Sequence, residues 1–389
     1  MAPFADPIPV DYHLPPVPKV IPDIDPNSSE FKTRNTAPLK KTGVLDSAFE
    51  FEDVTPVIGR GYPKARIVED ILGAENADEL IRDIAITISE RGVVFFRAQE
   101  SLTDDLQKEL ILRLGSLSGR PLTSTVHIHP TLNNTNEFGV KDAEISTISS
   151  ARRKKSYFTP ERPSLRKNTR GTEASWHSDI QFEEVPADYT SLRIVQLPEN
   201  GGDTLWASGY DLYDRFSPPY QKLFDTLTAT YSGEGFLKAV ASGRARLYSS
   251  ARGSPLNTGS HLSAVHPLVR TNPVTGWKSI FAVGNFPKYI NELDPEESED
   301  LLRKFYCVIL ENHDLQVRFK WRKVGDIAIW DNRSAFHSAT FDYEGLGERA
   351  GHRVVGIGEK PYFDPNSKSK KQALAEEAAA AATIATKEE

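Results

Sequence analysis

The chain has 389 residues, 39% hydrophobic and 26% charged, a composition typical of an ordinary soluble globular protein with a sizeable core. A formal net charge of −7 argues against general nucleic-acid affinity, and the single cysteine, Cys307, excludes an intrachain disulfide and any cysteine-based zinc or iron–sulfur site. No apolar run reaches membrane-spanning length and the N-terminus lacks a signal-peptide pattern, so we expect a cytoplasmic protein with neither nucleic-acid nor membrane partners.

The N-terminal residues 1–45 are rich in proline and show neither helical nor alternating hydrophobic periodicity. Such a composition favours an extended segment. Two interpretations stay open: a solvated arm, or a strap laid over a neighbour.

The first regular elements follow that segment. Loose alternation over residues 64–72 predicts the first strand. Asn76 with Glu79 three residues later forms a capping-box pattern and predicts the start of a helix. Val93–Phe96 is an apolar run typical of a buried strand, and leucines at helical spacing predict a helix over Thr103–Leu114.

Residues 145–172 form a polar, basic stretch. Its cationic residues are Arg152, Arg153, Lys154, Lys155, Arg162, Arg166, Lys167 and Arg170. A charge run of this kind is usually a solvated loop. The alternative is a lid over a binding site, whose positive field would attract anionic ligands. Deleting residues 152–168 distinguishes the two, because the loss of a lid changes turnover or substrate affinity.

The second half of the chain reads as many short strands with a few helices between them. Strand patterns occur at Tyr189–Leu197, Thr204–Trp206, Val265–Arg270, Ser279–Val283, Gln316–Trp321, Asp326–Trp330 and His352–Ile357. Helical patterns occur at Asp211–Phe216 and Pro219–Thr228 and after Asp294, where Glu297 completes a capping box; 242–262 reads as an irregular loop.

This order of elements predicts a mainly β protein with flanking helices, a double-stranded β-helix or jelly roll, folded as a single domain. We place that domain at residues 46–365, after the proline-rich arm of residues 1–45. Residues 366–389 are rich in Ala, Lys and Glu and form a tail that is either a frayed helix or disordered.

The triplet His177-Ser178-Asp179 carries the first chemical signal. Residues i and i+2 of a strand project from the same face, so an imidazole and a carboxylate at this spacing can converge on one ion. The best candidate for a third ligand is His337, at the end of Ile-Trp-Asp-Asn-Arg-Ser-Ala-Phe-His. Two imidazoles and a carboxylate on one octahedral face are typical of non-haem Fe(II) oxygenases.

Zinc hydrolases use similar ligands, so the triad alone leaves two kinds of chemistry open. Arg349 and Thr204 favour the oxygenase. A guanidinium can bind a carboxylate with two hydrogen bonds and a threonine hydroxyl can add a third, which suits the distal carboxylate of 2-oxoglutarate. A zinc hydrolase would leave both residues without a purpose.

Five segments of the chain together resemble the taurine dioxygenase family of Fe(II)/2-oxoglutarate-dependent oxygenases. They are WHSD (176–179), QLPENGGDTLWASG (196–209), HPLVRTNPVTG (266–276), FKWRKVGDIAIWDNRSAFH (319–337) and HRVV (352–355). The resemblance runs from about residue 64 to about residue 363, and residues 145–172 depart from it.

The resemblance implies a role for each candidate residue. His177, Asp179 and His337 match the iron ligands, and Thr204 and Arg349 match the residues that hold 2-oxoglutarate. The implied cofactors are Fe(II), 2-oxoglutarate as cosubstrate, and O2.

Two further residues match positions that contact the substrate in the family. Arg353 matches the arginine that binds the substrate's acidic group in sulfonate-using members, and His129 matches a substrate-contacting histidine. A structural ion pair is the alternative for Arg353, and His127 could take the place of His129 if the register slips.

The expected substrate is therefore a small anion, first of all taurine or another alkyl sulfonate, hydroxylated next to sulfur with release of sulfite. Alkyl sulfates, aryloxyalkanoates, other small acids and purines are the alternatives within the same chemistry. The alternative from another class is a non-catalytic jelly-roll module whose basic loop binds an acidic partner or RNA. Relatives that assemble as dimers or tetramers make a homo-oligomer the expected assembly.

Overall fold

The computed structural model describes residues 24–131, 142–151 and 176–388. Eight helices lie in these residues: α1 Val44–Ala48, α2 Ala77–Arg91, α3 Asp104–Leu117, α4 Gly209–Asp214, α5 Pro218–Phe224, α6 Glu234–Ala241, α7 Pro295–Glu311 and α8 Lys370–Glu388. Within this described part of the chain, none of the helices is both long enough and apolar enough to cross a lipid bilayer.

Fifteen strands occur in the same residues. They are β1 Glu52–Asp53, β2 Arg60–Tyr62, β3 Val93–Phe96, β4 Ser146–Ser149, β5 Ala187–Gln196, β6 Thr204–Ser208, β7 Thr228–Ser232, β8 Ser263–Pro267, β9 Val269–Thr271, β10 Lys278–Ile280, β11 Pro287–Ile290, β12 Gln316–Phe319, β13 Ile327–Asp331, β14 Ala335–Ala339 and β15 Ala350–Ile357.

The strands form one large sheet and three small ones. The seven-stranded sheet has the order β1-β2-β3-β13-β5-β15-β4 and is antiparallel except where β2 pairs with β3. The small sheets have the orders β12-β6-β14, β11-β7-β8 and β10-β9. Strands distant in sequence thus become neighbours, which brings residues of β5, β6, β14 and β15 to one region.

Strand β3 shows how the layers pack. All four of its residues are buried because its two faces contact different layers. Val94 and Phe96 join a core with helices α2 and α3, whereas Val93 and Phe95 join a core with the β12-β6-β14 sheet. A sheet covered on both faces requires a continuous apolar run, as this strand has. The predicted mainly β architecture with packed sheets and flanking helices is confirmed.

Residues 64–72 do not form a strand, and that prediction is wrong. Strand β2 ends at Tyr62, before this segment, and Ile67–Leu72 forms a π-helical turn. The buried side chain of Gln99 accepts a hydrogen bond from Ile67 N at 2.6 Å and donates one to Ala65 O at 3.0 Å. These contacts satisfy backbone groups that a strand would have paired with a neighbour.

The two predicted capping boxes differ in outcome. The Asp294–Glu297 box is present at the start of α7. Helix α2 begins after Asn76 as predicted, but the Asn76 side chain makes no capping hydrogen bond. The predicted strand at Val93–Phe96 is confirmed, β9 and β10 pair with each other, and the tail forms a helix, α8.

The described part of the N-terminal segment, from residue 24 on, packs against its own chain. Phe31 is 1% exposed, Arg34 Nε donates to Arg120 O at 2.7 Å, and Asn35 Nδ2 donates to Ser118 O at 2.8 Å. These contacts favour a strap over a solvated arm for residues 24–45. Residues 1–23 lie outside the described residues, and the domain boundaries themselves remain a prediction.

The basic stretch begins inside the large sheet. Residues 146–149 form edge strand β4, whose Ser146 pairs with Arg353 of β15. The assignment of residues 146–149 to a loop or lid is therefore wrong, because their backbone completes the sheet. The remainder of the predicted stretch, from residue 152, lies outside the described residues.

Candidate active site

His177, Asp179 and His337 form one cluster. A potential ligand atom from each lies within 4.8 Å of the other two. His337 N donates to His177 O at 2.8 Å and His177 N donates to His337 O at 3.1 Å, a two-residue antiparallel bridge that sets the imidazole centroids 4.2 Å apart. The convergence expected from the His-x-Asp spacing and the distant histidine is present in the fold.

Asn332 holds the backbone of Asp179 in place. Asn332 Oδ1 accepts from Asp179 N at 3.0 Å, and Asn332 Nδ2 donates to Asp188 O at 3.0 Å and to Thr190 Oγ1 at 2.8 Å. The next residue, Ile180, has a φ of +50°, which is unfavourable for a β-branched side chain. Strain of this kind persists only where surrounding contacts fix the backbone. Asn332 stands in one of the quoted motifs, but nothing in the pattern indicated this role.

Replacing Asn332 by alanine should destabilise the protein by about 2–3 kcal/mol, since it leaves several buried backbone and side-chain groups without hydrogen bonds. The free energy of unfolding measured in urea tests this. Asn366→Ala, at an exposed position, is the control and should change stability by less than about 0.5 kcal/mol. Equal unfolding midpoints for the two variants would contradict the assigned role.

The protonation states of the cluster suit a cation. Burial would raise the pKa of Asp179, but Arg353, His337 and His177 outweigh it and hold the pKa below its ordinary value. Burial, with His177 nearby, lowers the pKa of His337 to about 3. An ionised carboxylate and a neutral imidazole are the forms that bind metals. Asp179 Oδ2 and His337 Nδ1 are buried and accept or donate no hydrogen bond among the described residues, so the donor set fits a metal ion.

Arg349 and Thr204 lie beside each other. Arg349 Nη2 donates to Thr204 Oγ1 at 3.2 Å and Arg349 Nε donates to Gly202 O at 2.7 Å, while Trp321 Nε1 donates to Thr204 Oγ1 at 3.1 Å. Gly202 has a φ of +73°, and a Cβ there would lie 2.8 Å from Arg349 Cδ, so glycine is required at this turn.

The Arg349 guanidinium is 4% exposed, and burial lowers its pKa. Among the described residues it has no carboxylate within ion-pair distance. A buried arginine is ordinarily paired with an anion. This site can therefore bind the carboxylate of a ligand.

Arg353 lies in β15 and its guanidinium contacts the metal cluster. Arg353 Nη1 donates to Asp179 Oδ1 at 2.6 Å. Its Nε is buried and has no hydrogen-bond partner within residues 24–131, 142–151 and 176–388. An ion pair and an anion-binding role were alternatives for Arg353, and the ion pair uses only part of the guanidinium.

His129 lies among aromatic side chains. Its Nδ1 accepts from Thr131 N at 3.1 Å, and its ring centroid is 4.9 Å from that of Phe236. Phe236 and Phe286 are 6.3 Å apart, and Phe286 lies 6.1 Å from His177. His129 is thus joined to the metal cluster through a wall of phenylalanine rings. Neither Phe236 nor Phe286 stands in one of the five segments that carry the family resemblance, so the sequence pattern gives no signal for this wall.

His127, the alternative to His129, has a different environment. Its Nε2 lies 3.2 Å from Glu183 Oε1, and Arg252 binds both oxygens of the same carboxylate at 2.6 and 2.8 Å. Burial would raise the pKa of Glu183, but Arg252 and His127 lower it. The three side chains are nearly fully buried. They fix the irregular loop containing Arg252 to the turn that follows Asp179, a link with no local sequence signal.

A comparison with protein-family models finds a match over residues 51–355 to the family described as "Taurine catabolism dioxygenase TauD, TfdA family". The matched region contains every residue of the candidate site.

Individual relatives give the same family. The chain is 48% identical over 345 residues to "Alpha-ketoglutarate-dependent dioxygenase btcD" of Neocamarosporium betae, covering 86% of this chain and 98% of the relative. It is 28% identical over 358 residues to an "Alpha-ketoglutarate-dependent sulfonate dioxygenase" of Saccharomyces cerevisiae, covering 89% and 79% of the two chains.

A solved structure of similar fold is that of a taurine dioxygenase from Burkholderia xenovorans. The TM-score is 0.58 at 24% identity, with 82% of this chain and 92% of that chain covered. This likeness shows a shared fold over the covered part of the chain.

Proposed function

This chain belongs to the taurine catabolism dioxygenase TauD, TfdA family and is an alpha-ketoglutarate-dependent dioxygenase that uses Fe(II), 2-oxoglutarate and O2, and we propose that its substrate is a small organic anion, first of all an alkyl sulfonate such as taurine. Arg353 carries the proposal, because a buried guanidinium beside the metal cluster keeps an Nε that has no hydrogen-bond partner among the described residues.

In this proposal His177, Asp179 and His337 hold Fe(II). When bound, iron supplies activation of O2, coupled to oxidation of 2-oxoglutarate to succinate and CO2, so that one oxygen atom enters a substrate C–H bond. Burial lowers the pKa of His337 and keeps its imidazole neutral, and the neighbouring Arg353 lowers the pKa of Asp179 and keeps its carboxylate ionised. No side chain needs to act as a general base.

Arg349 and Thr204 orient the cosubstrate. The guanidinium offers a charge-assisted bond to the distal carboxylate of 2-oxoglutarate, and the Thr204 hydroxyl adds a neutral one. Because Arg349 is held by Gly202 O and stacks over Trp321, with 5.8 Å between the guanidinium carbon and the ring centroid, its position is fixed before the ligand arrives. A fixed binding group reduces the entropic cost of orienting the reactant.

Arg353 and His129 bind the acidic head group of the substrate. Their environments differ: Arg353 lies next to the metal cluster, whereas His129 packs against Phe236 of the phenylalanine wall. The wall formed by Phe236 and Phe286 excludes water and packs against the carbon part of the substrate. Hydroxylation of the carbon next to a sulfonate gives an unstable product that breaks down to an aldehyde and sulfite.

The sulfonate assignment draws support from the name of the yeast relative, whereas the relative with 48% identity is named without a substrate. The second candidate within the same chemistry is therefore another small acid, such as an alkyl sulfate or aryloxyalkanoate, or a purine. Arg353 favours any anionic head group over a neutral one.

Succinate formation by the purified protein tests the proposal. The reaction contains Fe(II), 2-oxoglutarate, ascorbate and O2, with and without taurine, and sulfite is assayed in parallel. We expect taurine to stimulate succinate formation with a matching amount of sulfite. Succinate without taurine dependence would reject taurine and turn the search to other acids, and the same assay without O2 is the control.

The proposal also covers the cellular compartment, the partners and the assembly state of the enzyme. The single cysteine and the net charge of −7 support a cytoplasmic enzyme without nucleic-acid or membrane partners. A homo-oligomer is proposed because related enzymes of the family assemble as dimers or tetramers. Light scattering on the full chain and on a variant lacking residues 1–45 tests the assembly.

A further inference from the structure

The ion pair between Arg353 and Asp179 joins the proposed anion site directly to the metal cluster. The two residues are 174 positions apart in sequence, and their side chains are 10% and 3% exposed. Water therefore screens this pair little, and its geometry is held by the fold. Asp179 is the carboxylate ligand of the cluster, so a change in Arg353 alters the surroundings of that ligand.

Each partner of the pair keeps one buried atom that makes no hydrogen bond to the part of the chain that the structure describes. These atoms are Asp179 Oδ2 and Arg353 Nε. Buried polar atoms are rarely left in this state. A carboxylate oxygen takes a cation and a guanidinium N–H takes an anion, so the pair is open to a metal ion at one end and to an anion at the other.

We propose that Arg353 is a positioning residue for the metal site as well as a binding group for the substrate anion. By holding Asp179 Oδ1, it directs Asp179 Oδ2 toward the ion shared with His177 and His337. This inference rests on the proposed function, which makes the cluster a metal site. It adds that Arg353 sets metal affinity when no substrate is present.

The physical reason is orientation. A carboxylate on a free side chain can rotate about its Cβ–Cγ bond and present either oxygen, whereas one oxygen fixed by a charge-assisted hydrogen bond leaves the other in a single direction. Groups of this kind, which hold a metal ligand from outside the coordination sphere, are typically worth a factor of about 10–100 in metal affinity. Asn332 fixes the backbone of Asp179, and Arg353 fixes its side chain.

The test is the affinity of the chelator-treated full-length protein for Mn(II), measured from the electron paramagnetic resonance signal of free Mn(II). No 2-oxoglutarate or substrate is added, so turnover plays no part in the readout. We expect Arg353→Ala to weaken Mn(II) binding about 10- to 100-fold. Arg353→Lys keeps the positive charge but loses the planar guanidinium. Its Mn(II) affinity should lie between that of the wild type and that of Arg353→Ala.

Arg349→Ala is the matched control. It removes a buried arginine four residues away whose guanidinium contacts Gly202 and Thr204 instead of Asp179. Its Mn(II) affinity should stay within about threefold of the wild type, since it touches no metal ligand. A general effect of losing a buried arginine would weaken both variants equally and would overturn the inference.

The remaining outcomes are also decisive. If the wild type binds Mn(II) and both Arg353 variants bind it equally well, the inference fails while the proposed function stands. If the wild type binds no Mn(II), both the inference and the proposed function fail. Should Arg353→Ala not fold, as judged by circular dichroism, Arg353→Lys supplies the comparison, and wild-type affinity in that variant would overturn the inference.

Discussion

His337→Ala should abolish succinate formation from 2-oxoglutarate, with or without substrate. The substitution removes one of three side chains that converge within 4.8 Å, and no other histidine or cysteine of the described residues belongs to the cluster. The backbone bridge between His177 and His337 does not involve the side chain, so the fold should be retained. Succinate formation and Mn(II) binding are measured together, because loss of both identifies the lesion as loss of the metal.

A histidine outside the cluster provides the control for this experiment. His313 is exposed at the end of α7, and His313→Ala should leave both measurements unchanged. A His337→Ala protein that still forms succinate at limiting iron would refute the assignment of this residue as a ligand.

Arg349→Ala should raise the KM for 2-oxoglutarate more than any other substitution outside the metal cluster. Truncating one partner of a buried charge-assisted pair costs about 2–5 kcal/mol, which is roughly 30-fold to several thousand-fold in affinity. Thr204→Val removes a neutral hydrogen bond and should cost about 0.5–1.5 kcal/mol, or roughly 2- to 13-fold. Initial rates at varied 2-oxoglutarate give both values.

Thermal unfolding provides an independent test of the same site. 2-Oxoglutarate with Mn(II) should raise the Tm of the wild type, since a ligand that binds only the folded state stabilises it. The rise should be much smaller for Arg349→Ala. Arg318→Ala is the control, because the Arg318 side chain is 54% exposed and pairs with Asp203 and Asp342 instead of Thr204. An unchanged KM in Arg349→Ala would show that another group holds the distal carboxylate.

The parts of the site that could be predicted from sequence are those with local spacing or a repeated motif. The His-x-Asp spacing places two side chains on one face of an extended chain whatever the rest of the fold does. His337 follows the run of buried residues that forms β13. Once a jelly roll was expected, a position of His337 close to strands of another sheet could be predicted. Residue type and pattern were sufficient there.

The parts that could not be predicted depend on pairs of residues far apart in the chain. The side chain of Gln99 hydrogen-bonds to Ile67 N, 32 positions away, at the start of the helical turn of residues 67–72. The alternation of residues alone suggested a strand there. Arg252 and Glu183 meet across 69 positions. Neither residue has a neighbour in sequence that would reveal its partner, because ion pairs between distant segments are set by the tertiary fold.

The stretch between β4 and the metal cluster is fixed at both ends by the catalytic machinery. Ser150 N donates to Arg349 O at 2.9 Å and Arg349 N donates to Ser150 Oγ at 3.0 Å, while Trp176 is buried next to His177 at the other end. Both anchors consist of described residues that belong to, or directly adjoin, the proposed iron and 2-oxoglutarate sites. Any change in the chain between Ser150 and Trp176 therefore acts on these two sites through two fixed attachment points, one beside Arg349 and one beside His177.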